Sequence, residues 1–177
     1  MTSPSPLTPD AERVLRVLQD ARVEFVLIGG FAAALHGLES GRPTLTIVPA
    51  RFTRNLDRLA VALRVLDARV RTPATGDQTQ RLPLSATELR RYGRWTMNTQ
   101  RGPVELDFEP PATAGHLDVY ENARRMPAGD GVSVEVASIA DLVRIAEMRM
   151  GAVDQALLPG WRARLQASSS ISVSASV

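Results

Sequence analysis

The stretch VEFVLIGGFAAALHGLESGRPTLTIVPA, residues 23–50, decides the fold of this chain. Its continuous apolar run at residues 25–28 predicts a buried strand, and two glycines follow it directly. The Ala-rich segment 31–36 predicts a short helix that ends at a further glycine. A second apolar run, residues 45–48, predicts another short strand. The order strand, helix, strand indicates a mixed α/β domain.

The double glycine after the first strand is a candidate ligand-binding turn. Gly29 and Gly30 would let the backbone approach a ligand closely, and the next helix would direct its first N–H groups at the same spot. A tight turn between core elements explains the pair equally well. The glycine spacing matches neither a dinucleotide fingerprint nor a P-loop. We therefore retain Gly29 and Gly30 as candidate nucleotide-binding residues, with the turn as the alternative.

The alternation of helices and strands continues outside this stretch. Hydroxyl caps before helically spaced apolar residues predict helix starts, and short apolar or alternating runs predict strands. The predicted elements are a helix from Thr8, a helix capped by Thr53, a strand at 68–71, a hairpin with arms 94–99 and 104–108, a helix at 116–125, a strand at 132–136 and a helix capped by Ser138. These elements predict an α/β fold with a mixed sheet.

Length and composition indicate a single domain and exclude several kinds of functional site. With 44% hydrophobic residues among 177, the chain can bury a sizeable core. The absence of cysteine excludes disulfides, zinc–cysteine sites and thiolate catalysis. All 21 basic residues are arginine, so no lysine acts as nucleophile or phosphate ligand. No apolar run is long enough to cross a bilayer and no secretory signal is visible, so we expect a cytoplasmic protein without a membrane partner.

Two end segments differ in composition from the middle of the chain. Residues 1–8 include a Ser/Pro-rich stretch that predicts a flexible leader. Residues 167–177 read ASSSISVSASV, which is uncharged and serine-rich and predicts a disordered tail. We therefore expect the domain to occupy residues 9–166.

Three segments together resemble the minimal nucleotidyltransferase superfamily, of the type of the AbiEii-like and MenT-like toxins of bacterial toxin–antitoxin systems. They are residues 23–50, RGPVELDFEP at 101–110 and SIADLVRIAEMRMGAVD at 138–154. In such proteins a strand leads to Gly-Gly, which is followed by a helix and then by His-Gly. The next strand carries the segment Arg-x-Thr-x-Asp-x-Asp. The resemblance implies a nucleotidyltransferase (polymerase-β-like) fold, in which a mixed central sheet is flanked by helices.

The resemblance also implies where metal-binding carboxylates would lie, and this chain departs from that pattern. The two aspartate positions fall on Thr44 and Thr46, or on Thr46 and Val48 if Arg42 is matched to the family's arginine. In the last helix the family's lysine position holds Ala146 and its arginine position holds Gly151. A neutral hydroxyl is a poor magnesium ligand without charged companions. We therefore predict that the metal site is lost.

One carboxylate of the pattern is retained. Asp107, or less favourably Glu105, matches the third carboxylate of the family. Asp107 is thus the candidate catalytic residue. The alternative is an ordinary solvent-facing residue that alternates with Val104, Leu106 and Phe108, and the sequence leaves this choice open.

These residues lead to two hypotheses about function. The first is a catalytically inactive protein of toxin–antitoxin type that binds a nucleotide, RNA or a protein without a cofactor. A separate possibility is a disabled toxin or pseudogene product, which the serine-rich tail would suit. The alternative is an active Mg²⁺-dependent transferase, a toxin that modifies tRNA or protein, which uses Asp107 and substituted ligands. The expected partners are a nucleoside triphosphate or tRNA, and an antitoxin protein. The candidate nucleotide-binding residues are Gly29, Gly30, Arg42, Thr44 and Thr46.

Overall fold

An eight-stranded mixed sheet runs through a computed structural model that describes residues 6–41, 44–71, 79–81, 83–149 and 151–174. The strands are β1 Phe25–Ile28, β2 Leu45–Pro49, β3 Arg69–Arg71, β4 Thr79–Gln80, β5 Arg94–Thr99, β6 Gly102–Asp107, β7 Arg124–Gly129 and β8 Val132–Val136. The helices are α1 Pro9–Asp20, α2 Gly29–Leu35, α3 Thr53–Val65, α4 Ala86–Leu89, α5 His116–Glu121, α6 Ile139–Arg149 and α7 Ala152–Ser174.

The strand order is β4-β3-β5-β6-β2-β1-β8-β7. β1 pairs with β2 antiparallel and with β8 parallel, while β2 pairs with β6 parallel. The remaining neighbours are antiparallel. The prediction of an α/β fold with a mixed central sheet is therefore confirmed.

The central strand β1 is apolar because both of its faces are covered. All four of its residues are buried, as are the five of β2. The amphipathic helices α1 and α3 contribute leucines to the same hydrophobic core, chiefly Leu15, Leu18, Leu56, Leu59 and Leu63. Strands buried on both faces read as continuous apolar runs, which explains why the sequence located β1.

Helix starts follow the predicted capping chemistry in two cases of three. Thr8 accepts a hydrogen bond from the Ala11 N–H, and Ser138 accepts one from the Asp141 N–H. The prediction for Thr53 is wrong, because Thr53 is the first residue of α3 and Phe52 precedes the helix without a side-chain cap.

The segment predicted as a single helix over 116–125 is divided differently in the structure. Helix α5 ends at Glu121, and β7 begins at Arg124 and pairs antiparallel with β8. The two strands join at Asp130 between Gly129 and Gly131, and both glycines take positive φ angles. β7 contains Pro127 and stands at the edge of the sheet, where the missing N–H of proline is tolerated. Its own side-chain pattern carried no strand signal.

Helix α7 reaches Ser174 and so includes residues 167–174, which the sequence assigned to a disordered tail. Pro159 and Gly160 stand inside it, and such residues argue against a helix in sequence. Tertiary contacts anchor it nonetheless, since Leu158 and Trp161 are buried and the Trp161 indole N–H donates to the Glu39 carbonyl at 2.9 Å. In the part of the chain that is described, no helix combines the length and apolar character needed to span a membrane.

Candidate functional site

A cleft of about 340 Å³ opens at the carboxyl end of β1, where the parallel strands β2 and β6 begin. Its floor comes from the turn after β1 and from the sheet. One wall comes from α7, whose Val153, Leu157 and Trp161 face the cleft. Charged side chains of β5, β6, α6 and α7 complete it: Arg94, Glu105, Arg149 and Asp154.

Four of the candidate nucleotide-binding residues line this cleft together: Gly29, Gly30, Thr44 and Thr46. Gly29 has a φ of 72°, a left-handed conformation that favours glycine, and an added Cβ would lie 3.6 Å from the Thr46 hydroxyl oxygen. The antiparallel register of β1 and β2 brings the glycines and the threonines together, because Ile28 pairs with Thr46. Arg42, the remaining candidate, lies outside the described residues.

Thr44 and Thr46, the candidates at the aspartate positions that the resemblance implies, have different surroundings. Thr46 is buried, and its hydroxyl donates a long hydrogen bond of 3.4 Å to the Thr44 carbonyl. Thr44 is only partly buried and lines the mouth of the cleft. Both present neutral oxygen atoms, so this part of the cleft supplies no negative charge to a metal ion.

Glu105, the less favoured match to the third carboxylate, lies beside Thr46 across the β2–β6 pair and lines the cleft. Arg94 donates to its Oε2 at 2.7 Å. Burial opposes the charge on Arg94, but the hydrogen bond to Glu105 and the negative charges of Glu105, Asp107 and Asp154 raise its pKa above the ordinary value. Glu105 is therefore already paired with a cation inside the cleft.

Asp107, the candidate catalytic residue, is not among the side chains that line the cleft. It is only 3% exposed, so the alternative of a solvent-facing residue is wrong. Its Oδ2 accepts a hydrogen bond of 2.6 Å from Arg149 Nη2. Arg149 does line the cleft, so Asp107 is connected to the cleft through the guanidinium group of Arg149.

Arg149 is the residue at this site that sequence reasoning missed. Its side chain is 18% exposed, and its Nε is buried without a hydrogen-bond partner in the described part of the chain. The resemblance placed the family's arginine at Gly151, two positions further along. Arg94 was also missed, and it faces Asp107 across the β5–β6 pair.

Two arginines and three carboxylates form one cluster, in which the negative charges outnumber the positive ones. Arg94 and Arg149 are matched by Glu105 and Asp107, and Asp154 adds a further negative charge beside Arg94. Among the described residues, no group of three or more His, Cys, Asp or Glu side chains is placed to hold a metal ion. The arrangement can offer guanidinium and backbone donors to an anion, and a single acceptor in Asp154.

Comparisons with known proteins leave the family open. No protein-family model matches the chain, and no curated protein matches it. One solved structure with a similar fold is the solution structure of the antibiotic-resistance factor ANT(2'')-Ia. It shares 13% identity at a TM-score of 0.45, over 90% of this chain and 93% of that chain. A likeness at this level shows neither a family nor an activity.

Proposed function

We propose that this protein is a nucleotidyltransferase-like binding protein that takes a nucleotide in its cleft without a metal ion and does not transfer it. One observation carries the proposal: each carboxylate at or beside the third acidic position, Glu105 and Asp107, is hydrogen-bonded to an arginine. A guanidinium supplies positive charge where a divalent ion would otherwise be held. The sequence resemblance supports the nucleotidyltransferase part, since Gly29, Gly30, Thr44 and Thr46 line one cleft.

The charge arrangement argues against metal-dependent chemistry. Magnesium requires near-octahedral oxygen ligands and is usually held through one or two carboxylates and the substrate phosphates. Here Thr44 and Thr46 offer neutral hydroxyls, and Glu105 would have to leave Arg94 to bind a metal. Asp107 would have to leave Arg149, which would strand two charges with little access to water.

The same arrangement favours binding of a phosphate group. Arg94 uses one of its terminal nitrogens for Glu105, and its side chain is 51% exposed, so further N–H donors remain available. Guanidinium groups bind phosphate through paired donors. The absence of a Cβ at Gly29 and Gly30 lets such a group approach the backbone. A toxin–antitoxin role, with tRNA or an antitoxin protein as partner, rests on the sequence resemblance alone.

Calorimetric titration with ATP, CTP and GTP tests this proposal. We expect magnesium to change the affinity by less than about twofold, because no free carboxylate pair awaits it. We also expect no incorporation of label from any of these nucleotides into tRNA or protein. The matched variant Arg94→Met should weaken nucleotide binding in both the presence and absence of the ion.

Two results would contradict the proposal of nucleotide binding without a metal ion. Affinity that rises more than about tenfold with magnesium, together with label transfer that Glu105→Gln or Asp107→Asn abolishes, would establish the active transferase. Failure of all three nucleotides to bind, with or without the ion, would remove the nucleotide from the proposal.

Restoring the missing acids should restore metal binding. In Thr44→Asp/Thr46→Asp one carboxylate would stand directly before β2 and one within it beside Glu105, and both positions line the cleft. We expect the affinity for Mn²⁺, followed by electron paramagnetic resonance, to rise at least about tenfold. Thr44→Asp alone tests whether one added carboxylate raises the Mn²⁺ affinity, without placing a charge at the buried position of Thr46.

A matched control separates a local site from a general charge effect. Thr53→Asp/Gln80→Asp adds the same two charges away from the cleft. If the control binds Mn²⁺ as well as the cleft variant does, the lost-metal-site explanation fails.

A further inference from the structure

A second pocket lies at the opposite end of β1 from the cleft. It encloses about 530 Å³ and is bounded by the residues around the start of β1, by α5 and by β8. Its lining includes three arginines, two glutamates and two aromatic rings: Arg22, Arg58, Arg125, Glu24, Glu135, His116 and Tyr120. We call this set the basic aromatic pocket.

Two rings of the basic aromatic pocket form a flat platform. His116 and Tyr120 stand one turn apart on α5, with ring centroids 5.5 Å apart and planes inclined by 17°. Burial lowers the pKa of His116, partly offset by the charge of Glu24, so the ring stacks in its neutral form near neutral pH. Tyr120 is 49% exposed, so part of the platform is accessible to a further planar group.

The arginines around the platform are loosely paired. Arg58 lies 3.8 Å from Glu24 and Arg125 lies 3.4 Å from Glu135, both longer than a charge-assisted hydrogen bond. Arg58 Nη1 also donates to the Arg22 carbonyl at 3.1 Å. Exposed pairs of this kind contribute little to stability. Among the described residues, Arg22 has no carboxylate partner. Breaking these contacts therefore costs little free energy when the arginines bind a phosphate group instead.

Arg22 occupies a backbone position that ordinarily holds glycine. Helix α1 ends in a Schellman motif, in which the Arg22 N–H donates to the Gln19 carbonyl at 2.9 Å and the Val23 N–H to the Leu18 carbonyl at 3.0 Å. Arg22 takes a φ of 56°, which is strained for a side chain of this type. Glycine would relieve that strain, so the fold itself does not call for an arginine at the rim of the pocket.

We propose that the basic aromatic pocket binds a segment of single-stranded nucleic acid. A base stacks on the exposed part of the Tyr120 ring, and the flanking phosphates contact Arg22, Arg58 and Arg125. Stacking surfaces combined with a rim of cations are the means by which proteins bind unpaired strands without reading their sequence. This site is separate from the cleft and does not depend on the nucleotide proposed there.

Fluorescence anisotropy with labelled oligonucleotides of about eight residues, rA, rU and dA, tests the assignment. We expect saturable binding at low salt that weakens as salt rises, with a log–log slope of about −0.7 for each phosphate contact. A duplex of the same length and AMP alone should each bind more weakly, because neither offers both an unpaired base and several phosphates.

Two variants separate binding from folding. Tyr120→Ala should weaken binding at least about fivefold while Tyr120→Phe keeps it, since stacking needs the ring and not the hydroxyl. Arg22→Gly should weaken binding and reduce the magnitude of the salt slope by about 0.7, yet raise the melting temperature by relieving the φ strain. The controls are Tyr92→Ala, at the other tyrosine of the chain, and Arg101→Ala, which should leave binding unchanged.

Other outcomes overturn the proposal. Absence of oligonucleotide binding, or binding that Tyr120→Ala and Arg22→Gly leave intact, would show that the pocket does not bind nucleic acid. Binding of a labelled oligoglutamate peptide in preference to the oligonucleotides would show a protein-docking site instead. The cleft variant Arg94→Met should not alter oligonucleotide affinity, so failure of one site is distinguishable from failure of the other.

Discussion

Replacing Arg149 by methionine should lower the free energy of unfolding by about 3 to 5 kcal/mol, because it leaves a buried carboxylate without its cation. Asp107 is 3% exposed, and Arg149 is the donor that its Oδ2 contacts, at 2.6 Å. Methionine retains most of the apolar stem of arginine, so the change isolates the loss of charge and hydrogen bond. Urea unfolding followed by circular dichroism measures the difference.

Two further variants assign that loss to the ion pair. Arg94→Met removes a hydrogen bond of similar length, but its side chain is 51% exposed, and we expect a loss of about 1 kcal/mol or less. Arg149→Met/Asp107→Val removes both charges and should recover most of the stability of the single variant. A single Arg149→Met variant as stable as Arg94→Met would show that the Asp107 carboxylate reaches water or another donor.

Asn55→Ala should reduce the free energy of unfolding by about 2 to 5 kcal/mol, since it orphans buried backbone groups at the junction of three elements. Asn55 is fully buried near the start of α3. Its Oδ1 accepts from the Glu24 N–H at 2.7 Å, and its Nδ2 donates to the Glu24 and Ala50 carbonyls, each at 2.8 Å. The amide thus joins the start of β1 to the end of β2.

The loss comes from two groups in particular. The Glu24 carbonyl keeps a second partner, the Ala50 N–H at 3.0 Å, whereas the Glu24 N–H and the Ala50 carbonyl lose the contact that Asn55 supplies. Asn55→Asp keeps the shape but points a carboxylate at two carbonyl oxygens, so it should be at least as damaging at neutral pH. Asn122→Ala, at an exposed asparagine, is the control, and equal effects at both positions would contradict this reading.

The sequence predicted the parts of the site that depend on local pattern. The run at residues 25–28 and the double glycine located the strand and turn from which the cleft is built. The predicted hairpin with its turn near Arg101 located β5 and β6, the strands that carry Arg94 and Asp107. The resemblance directed attention to Thr44, Thr46 and the acidic strand β6. Their catalytic and nucleotide-binding roles stay predictions.

What the sequence missed depends on contacts between distant residues. Arg149 reaches Asp107 across 42 positions, and Asn55 reaches Glu24 across 31. Neither residue carries a local signal, because an arginine near a helix end or an asparagine near a helix start is ordinarily solvated. Helix α7 was missed for a similar reason, since its anchor is the hydrogen bond from Trp161 to Glu39.

By itself, the sequence determined that this protein is an α/β domain and that its core is built on β1. These follow from hydrophobic pattern and residue identity, which act over a few neighbouring residues. Only the tertiary structure decided the state of the remaining acids. It buried Asp107 against Arg149 and paired Glu105 with Arg94, because sheet register and the end of α6 bring those charges within hydrogen-bond distance.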